Sequence, residues 1–103
     1  MRFHGRLDSM DDTLGLLEEA LQLAGEIGHH VREEPLGELP GGPCVVGGTP
    51  TILLNLESPA ADRLAVLLGV LARDPAIANQ PVSRLLSSRL RAAPGSALAT
   101  DRR

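Results

Sequence analysis

The chain has 103 residues, 43% of them hydrophobic, a net charge of −3 and one aromatic residue, Phe3; that length allows a single domain with little stability to spare, and that hydrophobic fraction argues against wholesale disorder. The absence of Trp and Tyr counts against ligands held by stacking on flat rings. With Cys44 alone, no signal-like apolar core after Met1, and a longest apolar run of nine residues from Leu64 to Ala72, well short of the ~20 that span a bilayer, the expectation is a cytoplasmic protein without disulfide or membrane partner.

Residues 1–8 read as a flexible leader. A helix is expected from Ser9 to Ile27, where Ser9 and Asp12 suggest a capping box. At 3.6 residues per turn Leu14, Leu17, Ala20, Leu21, Ala24 and Ile27 share an apolar half, and Glu18, Glu19, Gln22 and Glu26 a polar one. Gly28 is placed to end it. His29 to Glu34 reads as a short strand stopped by Pro35, and 37–42 as a turn-rich loop. Two β-branched runs then flank Gly47-Gly48, which predicts a hairpin over residues 44–56 with Val46 opposite Thr49 and Val45 opposite Pro50. Val45, Ile52, Leu54 and Leu56 would form its core face, while Cys44, Val46, Thr51, Leu53 and Asn55 form a half-apolar second face.

Ser58-Pro59 predicts a helix start, with Ser58 as the cap and Pro59 in the first turn. This helix runs to Ala72 and is apolar on every side from Leu64, so it is expected at the centre of the core. A last helix is expected from Pro81 to Ala92, with Arg89 inside its apolar arc and paired with a carboxylate or snorkelling. Residues 93–103 lack an apolar period and are expected to be a disordered tail. The fold class is therefore α+β: an N-terminal helix, a small antiparallel sheet with the 44–56 hairpin, a buried central helix and a C-terminal helix, in one domain over residues 9–92.

Charge is divided along the chain. Residues 1–58 carry ten acids and three arginines, and residues 59–103 three acids and seven arginines. No lysine is present and the arginines are scattered, so no phosphate track for nucleic acid is expected. The opposed halves suit attraction within one fold or across a contact between subunits.

Side chains able to do chemistry are few. His29, His30 and Cys44 invite a metal or ligand site, but adjacent residues on a strand point to opposite faces, and zinc needs three or four ligands. Cys44 reads more simply as a small apolar residue. The glycine pairs lack the spacing of phosphate-binding loops, and paired acids such as Glu18-Glu19 read as a solvated helix face. No catalytic, cofactor-binding or metal-binding residue is assigned, and no cofactor is expected.

The order of the middle segment carries a resemblance. A turn-rich loop, a hairpin, Thr51-Ile52-Leu53-Leu54-Asn55, Ser58-Pro59, Arg63 and a long apolar helix resemble the core of ImmA/IrrE-type zinc peptidases over residues 41–73, and loosely over 9–92. The layout is closer still to small bacterial proteins that keep this arrangement without the metal motif. Where that family carries H-E-x-x-H, whose imidazoles bind the ion and whose glutamate activates water, this chain has Leu67-Leu68-Gly69-Val70-Leu71. The resemblance therefore implies a fold and no activity. The expected function is a non-catalytic protein-interaction or regulatory domain that self-associates as a homodimer or binds another protein. The alternative is a degenerate, zincin-related hydrolase with a site near His29, His30 and Cys44.

Overall fold

A computed structural model describes residues 4–98, with side chains from Asp12 onward. Helix α1 spans His4–Glu26, strand β1 His30–Glu34, strand β2 Gly42–Val46, strand β3 Thr49–Asn55, helix α2 Ala60–Leu71 and helix α3 Arg84–Ala92, with a 3-10 helix at Pro75–Asn79 between the last two. This is the expected α+β order. Three boundaries move. The backbone is helical from His4, five residues before Ser9, so the expected leader overlaps the helix, and residues 1–3 lie outside the described residues. Helix α2 is capped by Pro59, without a side-chain bond from Ser58. Helix α3 is capped by Ser83, whose Oγ accepts from the Leu86 N–H.

The helix ends follow from the sequence. Helix α1 closes with a Schellman motif, in which the His29 N–H donates to Ala24 O at 2.9 Å and the Gly28 N–H to Gly25 O at 3.2 Å. The hairpin turns on Gly47 and Gly48, both at positive φ as a two-residue type I′ turn requires. Its register is the expected one, with Val46 opposite Thr49 and Val45 opposite Pro50.

The sheet departs from expectation in one respect. Its strand order is β1-β3-β2; β2 and β3 are antiparallel, but β1 pairs with β3 in parallel, Val31 opposite Ile52. The sheet is therefore mixed. The unequal polarity of the strands accounts for their order, though not for the direction of β1. The most apolar strand, β3, takes the doubly paired centre, and β1, with Arg32, Glu33 and Glu34, is left at an edge. The loop from residues 35 to 41 then carries the chain across the end of β3. Asn55 holds that loop: its Oδ1 accepts from the Leu36 and Glu57 N–H groups, each at 2.9 Å, and its Nδ2 donates to the carbonyls of Gly37 and Leu39. All four hydrogen-bonding positions of the buried amide are filled.

Helices α1 and α2 pack against each other and on one face of the sheet, α1 over β1 and α2 over β2 and β3. The core is Leu16, Leu17, Ala20, Leu23 and Ala24 of α1, Ile52 and Leu54 of β3, Leu64, Leu67, Leu68 and Leu71 of α2, Ile77, and Leu86 and Leu90 of α3. Val45 and Leu56, expected in the core face, are exposed: Val45 stands on the edge strand β2 near the hairpin turn, and Leu56 follows the end of β3. Glu19 ties α1 to the start of α3, accepting from the Ser83 N–H at 2.8 Å and from Ser83 Oγ at 2.7 Å. Residues 93–98, expected to be part of a disordered tail, fold back: the Ala97 N–H donates to Ala72 O at 2.6 Å, and Leu98 packs against the core. Residues 99–103 lie outside the described residues.

Candidate interaction surface

Helix α2, expected to be buried on most sides, is buried or half-buried at every position from Leu64 to Ala72 except Ala65, which marks one narrow open side. Leu64, Leu67, Leu68 and Leu71 lie on its inner face and are at most 6% exposed. On the opposite side Asp62, Ala65, Val66 and Gly69 fall within an arc of about 100°, and Arg73 follows in the turn after the helix. Asp62, Ala65 and Arg73 are exposed, while Val66, Gly69 and Val70 are half-buried. Among the described residues no element covers this side of α2 at Ala65.

Two shallow apolar grooves flank this ridge and share Ala65 and Gly69. One, of about 410 Å³, runs between α2 and β2 and is bounded by Pro43, Val66, Val70 and Arg73. The other, of about 250 Å³, runs between α2 and the end of α3, past Ala92, Ala93 and Arg89. A Cβ built on Gly69 meets no atom within 4 Å, so the ridge there is open and low. Arg89, expected to pair or snorkel, is exposed on the wall of the second groove and has no ion pair among the described residues. The helix turns its buried face through Leu86 and Leu90, which leaves Leu85 47% exposed and Arg89 toward the groove.

The residues singled out for metal or ligand chemistry are separated. His29 lies in the α1–β1 connection, and its Nε2 sits 2.9 Å from Asp74 Oδ2. Asp74 caps the 3-10 helix through Oδ1, which accepts from the Ala76 N–H at 2.9 Å. That backbone donor, with a smaller contribution from His29, outweighs partial burial and holds the Asp74 carboxyl below its ordinary pKa. The pair fastens the start of β1 to the end of α2. His30 and Cys44 stand on the two outer strands, on either side of Thr51, in one cross-strand row. Two strand spacings of about 4.8 Å separate them. Among the described residues, no group of three His, Cys, Asp or Glu side chains converges as a metal site.

Arg63, at the start of α2, is half-buried, with its Nε enclosed and without a hydrogen-bond partner among the described residues. The five residues at the H-E-x-x-H position of the resembled family fall on α2, with Leu67, Leu68 and Leu71 in the core. Among the described residues no helix is long and apolar enough to cross a membrane.

No protein family, curated protein or solved structure matches the chain.

Proposed function

We propose that this chain is a non-catalytic, cytoplasmic protein-interaction or regulatory domain that works by self-association as a homodimer. The observation that carries the proposal is the uncovered face of α2. A narrow apolar ridge with apolar grooves on both sides, walled by Arg73 and Arg89 and preceded by the exposed Asp62 in the first turn of α2, has the make-up of a partner-binding surface: an apolar centre and a charged rim. The similarity of residues 41–73 to the zinc-peptidase core is, in this proposal, one of layout. The family's two ion-binding histidine positions fall on Leu67 and Leu71 and its glutamate position on Leu68, all three of which build the core here. Light scattering coupled to size exclusion tests the proposal over a hundredfold range of concentration. A mass rising from that of one chain toward two is expected. A constant mass of 10.9 kDa up to millimolar chain contradicts it.

A further inference from the structure

The open face of α2 has a charge order that specifies its partner. Going from its N-terminal to its C-terminal end, the ridge reads Asp62, Ala65, Val66, Gly69, Arg73. The acid stands at one end and the base at the other, with small and β-branched apolar residues between. Asp62 and Arg73 are both exposed, and neither has an ion pair among the described residues. Such a ridge is complementary to itself when reversed.

We propose that the occupant of this face is the same face of a second copy, the two α2 helices packing antiparallel about a two-fold axis at Leu67, between Ala65 and Gly69. The proposal rests on the self-association reading above and gives it a surface and an orientation. At 1.5 Å per residue, Asp62 stands about 7.5 Å to one side of the axis, and Arg73, in the turn after α2, lies on the other side beyond Leu71, itself about 6 Å away. Reversal therefore brings Asp62 of each copy beside Arg73 of its partner, twice over, as an isologous contact demands. A parallel arrangement would set Asp62 against Asp62 and Arg73 against Arg73 instead. At the crossing, Ala65 and Gly69 let the backbones approach. Val66 and Val70 then fill the partner's grooves, where their apolar surface leaves water. The third charge, Arg89, stays on the rim at the α3 wall.

Charge exchange tests this geometry. Asp62→Arg and Arg73→Asp are made singly, and their sedimentation is measured separately and as an equimolar mixture. Both sites are exposed, so each variant keeps the fold, which a thermal melt checks. Each single variant places like charges together at both symmetric pairs and is expected to weaken dimerisation about tenfold or more. The mixture restores opposite charges at both pairs and is expected to dimerise about as well as wild type. Gly69→Leu, whose Cβ meets no atom within 4 Å in one chain but whose side chain would block the crossing, is expected to abolish the dimer, with the same thermal melt checking that the fold is kept. If the wild-type chain dimerises but neither charge variant nor Gly69→Leu changes it, this surface is overturned while self-association stands. Rescue failing in the mixture, with both single variants weakened, overturns the antiparallel pairing. A wild-type chain that stays monomeric overturns both.

Discussion

Replacing Asn55 by Ala removes four hydrogen bonds at once, and the loss can be worked from the structure. The amide is 3% exposed and serves two backbone donors, Leu36 and Glu57, and two backbone acceptors, Gly37 and Leu39. A net hydrogen bond contributes about 0.5–1.5 kcal/mol, which gives roughly 2–6 kcal/mol for four. Gly37 and Leu39 lie on an exposed loop, so water can replace part of what their carbonyls lose. The expected destabilisation is therefore about 2–4 kcal/mol, a large share of the ~5–15 kcal/mol available to a small domain. Urea unfolding followed by circular dichroism measures it, with the midpoint falling at unchanged slope. Asn55→Asp separates the two halves of the bonding: it keeps the acceptor for Leu36 and Glu57 but turns oxygen toward the two carbonyls. It should be destabilised at least as far as the low end of that range. Hydrogen exchange should show the Leu36 and Glu57 amides losing protection before those of α1. A loss below about 1 kcal/mol for Asn55→Ala would mean that the loop holds itself and that Asn55 does not organise it.

Further outcomes follow from local geometry. Gly41 sits at φ +80°, and a Cβ there would stand 2.5 Å from the carbonyl oxygen of Leu53 in the central strand. Gly41→Ala should therefore cost about 2 kcal/mol or more, read as a lower thermal midpoint. Leu86→Ala opens a cavity beneath α3 at a site with no exposure and should cost about 2–5 kcal/mol. The neighbouring Leu85→Ala, at a 47% exposed position, should stay within about 0.5 kcal/mol. Asp74 titrates below its ordinary range in the native state because the Ala76 N–H and His29 favour its charged form. Its contribution is complete above the ordinary carboxylate range and is lost as pH falls through the lower native value. Wild type should thus lose more stability than Asp74→Asn between about pH 5 and about pH 3 in acid unfolding followed by circular dichroism.

Local signals in the sequence were enough for the helices and the hairpin. The stripe on α1, the end at Gly28 and the Val46–Thr49 register each depend on residues within a turn or two of one another. What the sequence left open depends on distant residues. The parallel pairing of β1 with β3 joins His30 to Thr51, and nothing around either residue encodes the direction. Asn55 reads as a strand end, yet its side chain decides the course of a loop some twenty residues earlier. The 3-10 helix had a signal, Asp74 before Pro75, but that pair reads equally well as the stop of α2. Likewise Pro81 draws the start of α3 too early, because the true cap, Ser83, is fixed by Glu19 from the first helix. The exposed ridge of α2 was hidden by its own composition. A run apolar on every side predicts burial on most sides, which holds from Leu64 to Ala72, but composition does not say that the side at Ala65 is the one left open.

Native mass spectrometry of freshly purified protein, with no chelator and no added metal, tests the interaction-domain reading most directly, because it reads assembly and metal content together. A metal-free species at twice the chain mass, increasing with concentration, is predicted. A monomer carrying one stoichiometric zinc would contradict it and would direct attention to His29, His30 and Cys44.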